Sequence, residues 1–278
     1  MKRVFFVLCA LLTVLLSSCS DNKEIVKDEI TFAEADTDFR ETPETGASEV
    51  YETQEEYSVP MGITYSPCVL MYHLILEEPY SSLTDLFVRP SDFEAQIVDM
   101  INHGYQFMFA DEYHLTDVPT AIITFDDGYE DNYTEAFPIL KKYGVKATVF
   151  MITDAIDHVG YLTTEQIKEM SDSGLVRFGS HTHNHLEVDS LDSSSLINQL
   201  ETSKQRIMEI TGQSEVNAFC YPAGSYDENS MSVVSEFYTF AYTTESPNKT
   251  TQFKDMNIPR YRVKRSTGGN ITRLFPDG

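Results

Sequence analysis

The chain has 278 residues, 44 of them acidic and 20 basic, and its formal net charge is −24 at pH 7. So negative a chain is a poor partner for nucleic acid or any other polyanion, and we expect no nucleic-acid function. The length suffices for one domain with a substantial core.

The N-terminal residues have the layout of a secretory signal. Lys2 and Arg3 precede an apolar run, residues 4–16, that is too short to span a membrane. The sequence LSSC, ending at Cys19, resembles a bacterial lipobox, and an ordinary signal peptide cut nearby is the alternative. We expect residues 1–19 to be a lipoprotein signal peptide. The exported protein would then be anchored to a membrane of the cell envelope, outside the cytoplasm, by lipid on Cys19.

Residues 20–60 differ in composition from the rest of the chain. They carry 13 acidic side chains against three basic ones, and their apolar residues follow no period. Such composition is typical of a self-repelling, extended segment. We therefore predict an acidic disordered tether over residues 20–60 and a single domain over residues 61–278.

The domain alternates between strand and helix patterns. Apolar, β-branched runs predict strands at 67–73, 121–125, 146–152, 176–180, 217–222, 239–244 and 258–265. Amphipathic spacing predicts helices at 91–105, 134–144, 163–174, 194–212 and 228–237, with capping boxes at Ser91/Glu94 and Thr163/Gln166 and a helix end at Gly144. This alternation favours a parallel α/β fold, either a closed or distorted barrel or an open doubly wound sheet.

Several polar residues follow predicted strand ends. His73, Asp126, Asp127, His181 and residues 221–224 all lie at or just beyond such an end. In both architectures function collects at the carboxyl ends of parallel strands. The sequence therefore predicts one site that these residues share.

The stretch AIITFDDG ends a buried strand in two adjacent carboxylates. Neighbouring carboxylates repel each other, so the pair is either an ordinary polar turn or the neighbour of a cation. Three histidines in GSHTHNH, namely His181, His183 and His185, favour the cation. Because His181 and His185 are four apart, one helical turn would direct both at a common point, with His183 pointing away.

One carboxylate and two imidazoles leave a coordination position for water, as in catalytic zinc sites. In extended backbone successive side chains diverge, so one aspartate can bind the metal while the other takes a proton from water. A non-haem iron oxygenase uses the same ligand types and is one alternative. A phosphoryl-transfer enzyme with an aspartate nucleophile is another, although the adjacent pair and the histidine cluster argue against it.

Three segments together, TFDDG, SHTHNH and FCYPAGSYD, resemble the polysaccharide deacetylase family, which is carbohydrate esterase family 4 with its nodulation-deacetylase homology domain. The resemblance covers nearly all of residues 66–265. It implies an α/β fold, a distorted parallel (β/α) barrel with about seven strands in a single catalytic domain. It also implies Asp126 as general base and a metal held by Asp127, His181 and His185. Zn²⁺ is the first choice, with Co²⁺, Mn²⁺, Ni²⁺ or Fe²⁺ as alternatives.

The third segment departs from the commonest family pattern. The motif arginine and tyrosine are replaced by Cys220 and Ala223. The resemblance implies that the Ala223 backbone N–H still stabilises the oxyanion. It also implies that Arg260 replaces the missing arginine and orients the base, as in the subgroup of exopolysaccharide poly-N-acetylglucosamine deacetylases. An exposed strand arginine is the alternative for Arg260.

The family's late Leu-x-His motif is also missing, because no histidine follows His185. The same subgroup carries an early histidine after the first strand, and this position is occupied by His73. The resemblance implies that His73 is the general acid, with a purely structural histidine as the alternative.

The implied reaction is removal of N-acetyl groups from an amino-sugar polymer, either poly-N-acetylglucosamine or peptidoglycan N-acetylglucosamine, by a protein expected to be a monomer. An O-acetyl xylan esterase and a catalytically weak glycan-binding lipoprotein are the alternatives.

The sequence leaves two structural details open. Cys68 and Cys220 either form a disulfide or are free thiols. Four tyrosines near the motifs either stack on sugar rings or pack in the core: Tyr129, Tyr133, Tyr221 and Tyr226.

Overall fold

The computed structural model describes residues 64–78, 86–247 and 254–275. The predicted signal peptide, residues 1–19, and the predicted tether, residues 20–60, lie outside these ranges. Within them, no helix is both long enough and apolar enough to cross a membrane.

The described residues contain these strands: β1 (Cys68–Tyr72), β2 (Leu74–Ile75), β3 (Phe87–Val88), β4 (Gln106–Phe107), β5 (Thr120–Asp127), β6 (Ala147–Met151), β7 (Val176–Ser180), β8 (Ala218–Cys220), β9 (Phe240–Tyr242) and β10 (Tyr261–Arg262). The central sheet is entirely parallel and has the order β10-β1-β5-β6-β7-β8-β9, with β4 beside the start of β5. Strands β2 and β3 form a separate parallel pair. The sequence did not predict β2, β3 and β4, because two-residue strands show no hydrophobic period.

The segment that follows β9 joins the two edges of the central sheet. Ile258 forms a parallel bridge with Tyr242 in β9, whereas Tyr261 pairs with Leu70 in β1. A single stretch of chain therefore contacts both the last and the first strand, and the sheet curls into a distorted barrel. The prediction of a distorted parallel (β/α) barrel with about seven strands in a single domain is confirmed.

In the described part of the chain, five α-helices cover the outside of the sheet: α1 (Pro90–Asn102), α2 (Phe137–Tyr143), α3 (Thr164–Asp172), α4 (Ser193–Thr211) and α5 (Glu228–Phe237). Helix α3 begins with the predicted capping box. The Thr163 hydroxyl accepts the Gln166 N–H at 3.2 Å, and the Gln166 side-chain oxygen accepts the Thr163 N–H at 2.8 Å. Helix α2 ends at Gly144, whose left-handed φ of 66° confirms the predicted helix end.

The predicted capping box at the start of α1 is wrong. Pro90 is the first helical residue, so Ser91 already lies inside the first turn and cannot cap it. Arg89 occupies the N-cap position and makes no side-chain cap bond. Proline is favoured at the first helical position because it lacks the N–H that would otherwise stay unpaired there.

Side chains of β5 alternate between two apolar clusters. Ile123 and Phe125 belong to the larger cluster between sheet and helices, whereas Ile122 belongs to a smaller cluster built from strands and loops inside the barrel. Since side chains alternate along a strand, Thr124 and Asp126 lie on the same interior side as Ile122. The strand pattern thus directs one aspartate into the barrel.

Candidate active site

The aspartate pair lies at the carboxyl end of β5, which is the third strand in the order of the sheet. Every residue of this strand is buried, and Asp126 pairs in register with Phe150 of the neighbouring β6. His181 follows the end of β7, two strands away. The fold therefore brings Asp126, Asp127 and His181 to the same end of the sheet, as the sequence predicted.

Arg260 forms a bidentate ion pair with Asp126. Its two terminal nitrogens each lie 2.7 Å from a different carboxylate oxygen of Asp126. Nε donates to the Thr243 carbonyl oxygen at 2.9 Å, Nη1 to the Thr124 hydroxyl at 2.9 Å, and Nη2 to the Cys220 sulfur at 3.0 Å. All five N–H groups of the guanidinium therefore have an acceptor.

This pairing sets the charge state of Asp126. Burial alone would raise the pKa of its carboxyl, but Arg260 more than offsets burial and holds that pKa well below the ordinary value. Asp126 is therefore ionised at neutral pH. Arg260 itself is fully buried, so the alternative of an exposed strand arginine is wrong.

Asp127, His181 and His185 bring three metal-ligating atoms together. The Nε2 atoms of His181 and His185 lie 3.5 and 3.6 Å from Asp127 Oδ1, and the three atoms are within 4.8 Å of one another. Asp127 Oδ1 is buried and has no hydrogen-bond partner among the described residues. An orphaned carboxylate oxygen facing two imidazole nitrogens is a donor set that fits a divalent cation.

Neighbouring groups hold both imidazoles in the form that binds metal. His181 Nδ1 lies 2.8 Å from the Cys220 carbonyl oxygen, which can only accept, so Nδ1 carries the proton and Nε2 is free. Burial and the adjacent His181 lower the pKa of His185, which favours its neutral ring.

The predicted helical turn between His181 and His185 is wrong. The segment forms a bend instead, with left-handed φ angles of 64° at Thr182 and 57° at His185. His183 points away as predicted, with Nδ1 3.0 Å from the Thr153 hydroxyl. Asp127 also has a left-handed φ, 74°, so it leaves extended geometry at the strand end. Such strain clusters at functional sites, where the surrounding fold holds it in place.

His73 lies beside Asp126, at the point where β1 ends. Its Nε2 is 3.9 Å from Asp126 Oδ2. Burial lowers the pKa of His73, although the nearby Asp126 and Asp127 act in the opposite direction. The ring is therefore mostly neutral at neutral pH.

The comparisons with known proteins agree with this geometry. A sequence model described as polysaccharide deacetylase matches residues 115–239, which include the aspartate pair and the histidine cluster. YxkH of Bacillus subtilis (strain 168), a protein assigned to the polysaccharide deacetylases, is 33% identical over 280 residues, 96% of this chain and 95% of its own length. The chain belongs to the polysaccharide deacetylase family.

Two further relatives of this polysaccharide deacetylase are informative. The poly-β-1,6-N-acetyl-D-glucosamine N-deacetylase of Staphylococcus aureus (strain MSSA476) is 26% identical over 196 residues, 63% of this chain and 67% of the relative. The Streptococcus pyogenes deacetylase PplD, whose structure was solved in complex with acetate, is 26% identical in sequence to this chain. The two structures superpose with a TM-score of 0.70, over 77% of this chain and all of PplD.

The third motif of the deacetylase adopts a strained turn. Ala223 has a left-handed φ of 55°, and Gly224 follows at 73°. A Cβ atom on Gly224 would lie 2.0 Å from the Thr244 hydroxyl oxygen, so only glycine fits there. The turn lies directly after β8, whose Cys220 contacts Arg260, and it therefore carries the Ala223 N–H to the same end of the barrel.

The tyrosines near the motifs of the deacetylase fall into different environments. Tyr221 is fully buried in the core, so a role for it as a sugar platform is wrong. Tyr226 stacks on Tyr221, and Tyr133 stacks on the core residue Phe137. Tyr129, two residues after Asp127, is half-buried and stacks on Tyr161 at 5.2 Å.

Both cysteines of the domain are free thiols. Cys220 is fully buried, and burial raises the pKa of its thiol well above the ordinary value. The sequence did not reveal that Cys220 and Thr124 both accept hydrogen bonds from Arg260. Thr124 lies two residues before Asp126 and therefore on the same face of the strand. This spacing could have identified Thr124 as a neighbour of the site.

Proposed function

We propose that this deacetylase removes N-acetyl groups from an amino-sugar polymer by metal-dependent hydrolysis. The observation that carries the proposal is the arrangement at the end of β5. Asp126 is held ionised by Arg260, directly beside the convergent ligand atoms of Asp127, His181 and His185. The named activity of the S. aureus relative supports poly-N-acetylglucosamine as the substrate class, with peptidoglycan N-acetylglucosamine as the second choice.

Asp127, His181 and His185 would hold the metal. Two imidazoles and one carboxylate are the ligand types of catalytic zinc sites, so Zn²⁺ is the first candidate, with Co²⁺, Mn²⁺, Ni²⁺ and Fe²⁺ as alternatives. Such an ion, when bound, polarises an acetyl carbonyl and lowers the pKa of water toward ~7.

Asp126 would act as the general base. It is ionised, and Arg260 fixes both of its oxygens, so it can take a proton from the attacking water without first reorienting. The same ion pair makes Asp126 a poor place for that proton to remain. His73 Nε2 is 3.9 Å away and mostly neutral, so it would receive the proton and deliver it to the departing amine nitrogen.

The backbone N–H of Ala223 would stabilise the oxyanion that forms on the acetyl carbonyl oxygen. A backbone donor does not depend on the side chain, so alanine can replace the family's usual tyrosine. Removing one donor of this kind typically costs a factor of ~10²–10³ in rate.

The location proposed for the enzyme follows from its N-terminal sequence. A lipid on Cys19 and an acidic tether over residues 20–60 would hold an exported, monomeric enzyme at the surface of a membrane, outside the cytoplasm, where envelope glycans are within reach. Mass spectrometry of the protein from membranes tests this proposal, since it predicts a diacylglycerol-modified Cys19 as the first residue.

The central experiment measures acetate release from N-acetylglucosamine oligomers. The protein is stripped with a chelator and then titrated with Zn²⁺ or Co²⁺, alongside the variants Asp126→Asn and His73→Ala. We expect metal-dependent acetate release that Asp126→Asn abolishes. His73→Ala should keep metal binding and lose most turnover, whereas full turnover in this variant would remove His73 from the mechanism.

Two other results would redirect the proposal, and a third would contradict its metal site. Acetate released from acetylated xylan but not from the amino-sugar oligomers would identify an O-acetyl esterase of the same fold. Metal binding with no acetate from either substrate would indicate a glycan-binding lipoprotein. Acetate release that is insensitive to the chelator would contradict the metal site.

A further inference from the structure

The imidazole of His73 depends on its backbone for its position. His73 is the single residue between β1 and β2, at the point where the chain leaves the central sheet. Its distance of 3.9 Å from Asp126 is longer than a hydrogen bond. Within the described ranges, no group forms a hydrogen bond with the ring.

Two adjacent side chains hold that backbone from both sides. Asn132 Nδ2 donates to the carbonyl oxygen of His73 at 2.8 Å. Asp131 Oδ1 accepts the N–H of Ile75 at 2.7 Å, and Asn132 Nδ2 also donates to this oxygen at 3.1 Å. The three bonds form one connected clamp around the residue that carries the general acid.

The clamp is anchored in the segment that follows the aspartate pair. Asn132 begins a π-helical stretch, Asn132–Ala136, that continues into α2. Ala136 and Phe137 are buried in the main core, so the stretch is fixed by packing. Short π-helical segments occur frequently at functional sites. The clamp therefore ties His73 to the chain segment that directly follows the aspartate pair.

Asn132 is a costly choice for a position that serves stability alone. It is almost fully buried, and its Oδ1 has no hydrogen-bond partner among the described residues. A buried unpaired oxygen typically costs about 1–3 kcal/mol, which an apolar side chain would avoid. The donor on Nδ2 is what an apolar side chain could not supply.

We propose that Asp131 and Asn132 are positioning residues that keep His73 within reach of both Asp126 and the departing amine. This inference rests on the proposed role of His73 as general acid. Both side chains are buried and act through the backbone, Asn132 at His73 and Asp131 at Ile75 in β2.

The structure indicates which substitutions separate positioning from folding. Asn132→Leu keeps a similar volume and removes the donor to His73. Asp131→Asn keeps the Oδ1 acceptor for Ile75 and is the conservative variant. Burial raises the pKa of Asp131 to about 7, so the folded protein already holds much of this carboxyl in the neutral form that the amide imitates. Gln213→Leu is the matched control, because its amide bonds the backbone N–H and carbonyl of Phe178 in β7.

The test compares two substrates that differ in their need for a proton. An amine leaves an N-acetylglucosamine oligomer only when protonated, whereas 4-nitrophenolate leaves 4-nitrophenyl acetate without a proton. With Zn²⁺-loaded protein, we expect Asn132→Leu to lose about 10²-fold in acetate release from the oligomer, within the range that general acids supply. Its hydrolysis of the nitrophenyl ester should stay within about twofold of the wild type. His73→Ala should show the same selective loss, and Asp131→Asn and Gln213→Leu should show none.

Equal losses on both substrates in Asn132→Leu, or no loss on either, would overturn the inference. A wild type that releases no acetate from the oligomer would instead contradict the proposed function. In that case the pKa of His73, measured by NMR titration of its ring, still tests whether Asn132 positions His73. We expect Asn132→Leu to move the pKa of His73 toward that of an exposed imidazole and Gln213→Leu to leave it in place. An unmoved titration in Asn132→Leu would overturn the clamp.

Discussion

Arg260 contacts both carboxylate oxygens of Asp126 at 2.7 Å, although 134 residues of sequence separate the two. Arg260 belongs to the segment that joins the two edges of the sheet, while Asp126 lies near the end of the inner strand β5. The pair therefore links closure of the fold to the charge state of the proposed base. Its removal is expected to affect both stability and activity.

Arg260→Met should destabilise the protein by about 3–5 kcal/mol, because it leaves a buried carboxylate without its cation. Asp126→Leu combined with Arg260→Met should recover most of that stability, since no buried charge remains, but should release no acetate. Urea unfolding and acetate release measure the two effects separately. If the double variant were as unstable as Arg260→Met, the lost free energy would not come from the unpaired charge.

Cys220→Ser should be nearly neutral for activity, whereas Cys220→Val should lower it. The sulfur accepts a hydrogen bond from Arg260 Nη2 at 3.0 Å, and a serine hydroxyl keeps an acceptor there. Valine leaves this buried donor unpaired, at a typical cost of about 1–3 kcal/mol. Thermal unfolding and kcat with the oligomer substrate test this difference. Equal behaviour of the two variants would mean that the contact has no influence on Arg260.

His181→Ala and His185→Ala should each abolish tight Zn²⁺ binding, and His183→Ala should leave it unchanged. The three histidines lie within five residues, but only His181 and His185 face Asp127, while His183 bonds Thr153. Isothermal titration calorimetry with the chelator-stripped protein measures this. His183→Ala is the matched control, and weakened binding in that variant would contradict the assigned ligand set.

Asp131→Asn should make the protein more stable than the wild type at pH 8, with the difference vanishing near pH 4. The pKa of Asp131 is about 7 in the folded protein because of burial, against about 3.9 in an unfolded chain. Between these values the folded state binds more protons, so the contribution of Asp131 falls as the pH rises. The gap should reach a few kcal/mol at pH 8. Chemical unfolding at several pH values measures it, and a gap that does not change with pH would contradict the raised pKa.

Gly224→Ala should reduce both stability and kcat. Its φ of 73° costs a residue with a Cβ about 1–2 kcal/mol, and the new Cβ would lie 2.0 Å from the Thr244 hydroxyl oxygen. Relief of this clash would move the turn that carries the Ala223 N–H. Adding Thr244→Ala should restore part of the stability, because it removes the contacts with the hydroxyl oxygen and the methyl group but keeps the strained φ and the 2.9 Å contact with the Thr244 Cβ. A fully active Gly224→Ala protein would argue against Ala223 as an oxyanion donor.

The sequence by itself determined the type of fold and the place of the site. Alternating strand and helix patterns predict a parallel α/β fold, and residues at the carboxyl ends of its strands must then meet at one edge of the sheet. This is why Asp126, Asp127, His181 and His73 could be assigned to one site. Local capping chemistry was also readable, as at Thr163, because the partners lie within one helical turn of each other.

Only the tertiary structure decided what holds these residues in place. The sequence left Arg260 with two interpretations, because no local period records a contact between the barrel-closing segment and β5. The left-handed residues Thr182 and His185 were missed for a related reason. Packing against the rest of the fold, rather than local propensity, fixes them there. The clamp on His73 likewise exists only where the start of α2 meets the loop after β1, a contact that no spacing along the chain encodes.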